Sequence, residues 1–228
     1  MRVLLTHHSP LEGSTSGQHT LRLGAALAEA GHSVHCVISD RQSQGAESFE
    51  CLRVQCSANG SGAGLPFDVP VFTGEGTSTR TFRSLSQREL SQYRESLRKA
   101  IDAQVETFDP HLIHAQHVWL HGQLALETGV PYVLTAWGPE LDEATADERF
   151  RSMAEQAAEN AGCIFSVSEP LLERVRAIFE VPNERLTVLR NTSSDSDKVV
   201  PTRTDHEWSS DVATILARYQ HVLDERFG

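Results

Sequence analysis

The 228-residue sequence predicts an α/β fold: a doubly wound, Rossmann-like parallel sheet of about seven strands in a single domain, plus a docked C-terminal helix. Three observations carry this. Short apolar runs such as RVLLT, YVLTA and CIFSVS lack the polar alternation of a half-exposed strand, as expected of strands covered on both faces. Between them lie longer segments with apolar residues at steps of three and four, the period of amphipathic helices. The two kinds alternate along the chain, the order that builds a parallel sheet from βαβ units.

RVLLT (2–6) is the first strand and runs into His7 and His8. The loop SPLEGSTSGQ leads to a helix expected from about Gln18, with Leu21, Leu23, Ala26, Leu27 and Ala30 on its apolar face and Gly31 as its stop. SVHCVIS (33–39) and CLRVQC (51–56) are the second and third strands, SANGSGAG reads as a surface loop, and 69–73 reads as a short extra strand. From Ser84 to about Phe108 the apolar positions Leu90, Tyr93, Leu97, Ile101, Val105 and Phe108 mark the longest helix, with Ser86 and Glu89 spaced as a capping box. LIHAQ and YVLTA are strands flanking a short helix; an acidic, alanine-rich helix is expected over 144–160. CIFSVS is a strand, Ser168 and Pro170 open a helix, and RLTVLR (185–190) is the last strand. The polar stretch 192–206 reads as a linker, and Trp208, Val212, Ile215, Leu216, Tyr219 and Leu223 give the final helix a stripe that must be buried. The organisation expected is 1–191 as the domain, 192–206 as linker and 207–228 as a helix packing back on the same domain.

A net charge of −11 argues against a nucleic-acid partner, which would need a surplus of Lys and Arg. The apolar start MRVLL is too short for a signal-peptide core, and no run has membrane-spanning length, so a cytoplasmic location is expected. Cys36, Cys51, Cys56 and Cys163 form no CxxC pair and lie in or beside strand-like runs, which predicts buried, reduced thiols.

In an open parallel sheet, ligands sit beyond the carboxyl ends of the strands where the strand order reverses. That rule brings His7, His8 and His117 to one switch point, where His117 is the candidate to move a proton or to hold a ligand hydroxyl. His111, His114, His117 and His121 are dense enough to suggest a metal. However, strand alternation splits the first three between faces, and no Asp, Glu or Cys completes a zinc set, so no metal is expected. His114, in mid-strand, reads as a hydrogen-bonded core residue. Ser16, Gly17 and Gln18 lie where a helix N-terminus could face an anion. Asp40, 23 residues past Gly17, keeps a dinucleotide reading open. Glu140 and Glu148 have a spacing used by sugar-transferring enzymes but fall on an otherwise acidic helix. Arg80, Arg83, Arg88, Arg94, Arg98 and Lys99 form a solvated basic face, with a membrane surface as the weaker alternative.

Taken together, SGQHTLRLGAALAEAGHSVHCV, FDPHLIHAQH, VPYVLTAWGPEL and FSVSEPLLERVRAIFEVPNERLTVLRN resemble, in order over 1–191, the acceptor-side domain of GT-B glycosyltransferases of the family-4 type. The resemblance implies that Gly17 faces a donor phosphate, that His117 is the cleft histidine near the acceptor, and that Gly138 is the turn after the fifth main strand. His7, His8, Ser16, Gln18, Trp137 and Glu140 complete the cleft. Departures are Ser16 in place of the first paired glycine, Trp137 in place of the family's histidine, and the loss of pattern after Asn191, where the nucleotide-sugar domain would follow. Without that domain the diphosphate has no clamp, so the chain alone is expected to be inactive and to bind no cofactor tightly. A nucleotide-sugar donor, and a donor-binding partner or a homodimer, are therefore implied by resemblance only; the alternative is a non-catalytic binding or regulatory module. The cleft, including His117 and Trp137, is expected to open onto solvent or a partner.

Overall fold

A computed structural model describes residues 1–42, 45, 47–57, 64–72, 78, 80–189 and 205–227. Seven parallel strands, β1 (Arg2–His7), β2 (Ser33–Asp40), β3 (Glu50–Gln55), β4 (Leu112–Gln116), β5 (Tyr132–Ala136), β6 (Cys163–Ser166) and β7 (Leu186–Val188), form one sheet. Their order is β3-β2-β1-β4-β5-β6-β7. The order reverses between β1 and β4, which pair directly from Val3 against Leu112 to Thr6 against Ala115. The central strands β4 and β5 are buried at every position, which is why neither shows polar alternation.

Helices α1 (Thr15–Glu29), α2 (Gln87–Phe108), α3 (His121–Thr128), α4 (Pro139–Ala146), α5 (Glu148–Asn160), α6 (Glu169–Phe179) and α7 (Asp205–Phe227) cover the sheet. One apolar cluster runs under α2, α3, α5 and α6 and contains Leu97, Ile101, Leu124, Ala157 and Val175. The other joins Leu23 and Leu27 of α1 to Ile215, Tyr219 and Val222 of α7 across Val3 and Leu5 of β1. Caps set the helix ends where the sequence suggested them. Ser86 and Glu89 close a reciprocal capping box on α2, and the Ser168 hydroxyl accepts from Leu171 N at the start of α6.

Several boundaries differ from expectation. Helix α1 begins three residues before Gln18, because the Ser14 side chain caps it, so Ser16 and Gly17 lie in its first turn. The helix expected over 144–160 is two helices, broken at Asp147. This residue is extended (φ −138°, ψ 117°), and its carboxylate accepts from Arg149 N and holds the Arg149 guanidinium. The extra strand at 69–73 is only an isolated bridge between Val71 and Thr81 among the described residues. The SANGSGAG loop and the polar linker fall largely outside the described residues. The described thiols Cys36, Cys56 and Cys163 are buried and Cys51 is half-buried; all are free. Among the described residues no helix is long and apolar enough to cross a membrane.

Candidate functional site

At the switch point, β1 and β4 deliver His7, His8 and His117 to one place. Ring centroids are 4.9 Å apart for His7 and His8, 4.4 Å for His8 and His117, and 5.6 Å for His7 and His117. Phe72 lies 4.8 Å from the His117 ring and 4.7 Å from the His8 ring, and Phe82 and Trp119 continue the aromatic wall behind them. His117 is directed by its backbone: β4 ends on Gln116, and His117 turns with φ +73°, a left-handed conformation costly for a side-chain-bearing residue. Leu120, at the start of α3, adds a second such residue at φ +56°.

Two of the rings have polar groups behind them. His7 Nδ1 lies 2.8 Å from Ser9 O, and its Nε2 lies 3.0 Å from the Ser16 hydroxyl. His117 Nδ1 lies 3.4 Å from Glu140 Oε2, with both side chains fully buried. That carboxylate accepts the backbone N–H groups of Trp137 at 2.7 Å and Gly138 at 2.8 Å, so it is anchored by the turn after β5. Burial, reinforced by the proximity of His117, pushes the His7 pKa down to about 3. Burial and then the neighbouring imidazoles hold His8 and His121 well below the ordinary histidine range. The site is therefore a buried cluster of imidazoles, with His7, His8 and His121 held neutral, beside one buried carboxylate.

The remaining predicted residues are placed as follows. Trp137 is half-buried, its indole N–H donates to Gln116 Oε1 at 3.1 Å, and its ring stands edge-on to His19 at 5.2 Å. His19 in turn meets Trp208 of α7 at 5.2 Å, and Arg22 lies 4.6 Å above the Trp208 ring, so the final helix borders this end of the sheet. The Gln18 amide reaches Leu11 O at 3.5 Å. The Gly17 N–H, which the resemblance points at a phosphate, donates instead to Ser14 Oγ at 3.0 Å. A Cβ on Gly17 would lie 2.6 Å from Leu11 O and 2.8 Å from Pro10 O. Gly17 is thus required by the close approach of its own loop. Whereas Gly→Ala inside a helix normally gains up to about 1 kcal/mol, Gly17→Ala is expected to lose about 1–3 kcal/mol in urea unfolding, because the backbone must move.

Contrary to expectation, His117 is fully buried and does not open onto solvent. Phe72, against His117, comes from a loop, and Phe82, against His8, opens a single 3₁₀ turn; no local pattern marks either as a wall residue. His114 points away from the cluster and is bonded at both nitrogens, to Tyr219 and Thr135, each at 2.6 Å. Asp40 pairs with Arg53 at 3.2 Å and accepts from Gln42 N at 3.0 Å, so it is engaged within its own sheet edge. Glu148 is exposed and Glu140 buried. Within the basic stretch Arg80 pairs with Glu89, Arg83 with Glu143, Arg94 with Glu127, and Arg98 and Lys99 with Glu95, which leaves little unbalanced positive charge there.

The fold is shared with solved sugar-handling enzymes. A chain of sucrose-phosphate synthase from Thermosynechococcus elongatus, labelled 27_220_406_426, is 16% identical, with a TM-score of 0.58 over 97% of this chain and 99% of that one. A longer chain of the same synthase is 15% identical, with a TM-score of 0.57 over 83% of this chain and 47% of that one. The lipopolysaccharide outer core galactosyltransferase WaaB, apo form, is 11% identical, with a TM-score of 0.53 over 90% of this chain and 50% of that one. The chain thus spans about half the length of the two longer structures. No curated protein sequence matches it. The family described as "Glycosyl transferase 4-like domain" matches residues 14–192. That stretch runs from the cap of α1 to the end of the sheet and includes His117 and Glu140 but not β1, and the chain belongs to the glycosyl transferase 4-like domain family.

Proposed function

We propose that this chain is the acceptor-side half of a GT-B glycosyltransferase, which moves a sugar from a nucleotide-sugar to a hydroxyl only when a separate donor-binding domain closes the cleft. The observation that carries this is one of length. The chain aligns with 99% of a synthase chain labelled by one long stretch and one short distant one, but with 47% of the longer chain of that synthase. The same division recurs here, as the sheet domain and α7. The other half would supply the donor clamp, and the chain's own cleft would position the acceptor.

In this reading Glu140 holds His117 with Nδ1 toward its carboxylate, leaving Nε2 to meet the acceptor hydroxyl. Docking of the donor domain would draw the aromatic wall back from His117, since no substrate reaches that ring in the closed arrangement. A second reading, a binding module without catalysis, is favoured by that same closure and by the capped Gly17 N–H.

Titration calorimetry and partner capture separate the two. The isolated chain is expected to give no measurable heat with uridine or guanosine diphosphate sugars, and tight binding of either would contradict the split arrangement. Mass spectrometry of proteins co-purified from the native cell is expected to find a donor domain. With that partner added, His117→Ala should lower kcat by about 10²–10⁴-fold while leaving partner affinity unchanged. A partnered complex that transfers no sugar would favour the module.

A further inference from the structure

We infer that His7, His8 and His117 bind one divalent transition-metal ion of the zinc class, with Glu140 as the backing carboxylate. One ring nitrogen from each histidine lies within 4.8 Å of one from each of the others, and all three residues are buried. The linear run of histidines from His111 to His121 concealed this set, because its members come from two strands far apart in sequence.

The orientation of the rings carries the argument further than their proximity. A metal-binding histidine almost always donates its other N–H to a carbonyl or carboxylate, which fixes the tautomer and aims the lone pair at the ion. His7 Nδ1 is 2.8 Å from Ser9 O, closer than its 3.2 Å to Ser9 N, which assigns the proton to Nδ1 as donor to that carbonyl and leaves Nε2 with a lone pair. His117 Nδ1 faces Glu140 at 3.4 Å, which leaves its Nε2 as the ligand atom. Both nitrogens of that ring are buried with no hydrogen-bond partner, so Glu140 is a charged neighbour of Nδ1 and Nε2 is open to an ion. An unsatisfied buried nitrogen of this kind is destabilising unless something fills it.

Charge and donor type select the ion. Three imidazoles suit zinc, cobalt, nickel or copper, whereas calcium and magnesium require several oxygen ligands. Glu140, beside His117 Nδ1, offsets part of the positive charge without touching the ion. It is tied to two backbone N–H groups, so it stays behind His117 instead of displacing it. The Ser16 hydroxyl, 3.0 Å from His7 Nε2, would give up that contact to the ion. With bonds of about 2.0–2.1 Å, tetrahedral nitrogens sit roughly 3.4 Å apart. The rings would therefore close by somewhat more than about 1 Å at the widest pair, a movement within reach of side-chain rotation.

The site stands independently of the sugar-transfer reading. The ion would occupy the same His117 nitrogen that the acceptor uses, so zinc is expected to inhibit an assembled transferase. Binding is read without sugar or partner, so failure of one reading is distinguishable from failure of the other. The full chain, free of any histidine tag and stripped with chelator, is titrated with cobalt(II), then with zinc. One equivalent should develop the visible absorption of four-coordinate cobalt, and zinc should bleach it. His117→Ala and His8→Ala should lose the band, Glu140→Gln should weaken binding by about 10–100-fold, and the exposed His221→Ala should leave it unchanged. X-ray absorption of the zinc-loaded wild type, which needs no variant to fold, should count three imidazoles. A wild type that develops no band, or a zinc shell with fewer than two imidazoles, would overturn the assignment.

Discussion

Between pH 7 and pH 5 the folded protein is expected to lose several kcal/mol of stability. His114 is buried between Tyr219 and Thr135, and desolvation lowers its pKa to about 3; His7 is lowered to about 3 by burial and by its neighbour His117. The unfolded chain takes up a proton at each near pH 6.5, while the folded chain refuses it until about pH 3. Stability is therefore complete above about pH 6.5 and falls as pH drops through the window from 6.5 to 3. At about 1.4 kcal/mol per unit, each of these two histidines costs roughly 2 kcal/mol by pH 5. His8 and His121 act in the same direction. Urea midpoints measured from pH 7.5 to 5 in the presence of chelator should fall steeply. A flat profile would mean that these rings are hydrated or already protonated when folded.

The second large effect concerns α7. Tyr219 is fully buried in the cluster that joins α1, β1 and α7, and its hydroxyl shares a hydrogen bond with His114 Nδ1 at 2.6 Å. Tyr219→Ala removes a large ring and leaves a buried imidazole nitrogen without its partner. The expected loss is about 3–5 kcal/mol, with urea m-value unchanged. Tyr219→Phe keeps the ring and should cost only about 1–3 kcal/mol, the penalty of the unpaired nitrogen. If Tyr219→Ala unfolds within about 1 kcal/mol of the wild type, the helix is not docked on the sheet in solution.

The two kinds of information divide along physical lines. Strand positions were legible because β4 and β5 are covered on both faces and so carry mostly apolar residues, and helix starts were legible where a side chain caps them, as at Ser86 and Ser168. The break at Asp147 was not, because an aspartate inside an acidic helix looks like any other until Arg149 folds back on it. Likewise nothing local separates Gly17 as a packing glycine from Gly17 as a phosphate glycine. The difference is a carbonyl of Leu11 lying 2.6 Å from where its Cβ would be.

What the sequence by itself determined is the alternation of strands and helices, and with it the parallel sheet, the reversal between the first and fourth strands, and the family. The alternation follows from periodicity and capping, which act within a few residues; the reversal follows from the usual doubly wound order, and the family from the resemblance of whole segments. Only the tertiary structure decided what the histidines do. His114 and His117 are three residues apart, yet one is locked into the core by Tyr219 and Thr135, and the other turns through a left-handed backbone to meet His7, His8 and Glu140. The reason is that burial and tautomer depend on groups brought from strands and helices distant in the chain, and no spacing along one strand encodes them.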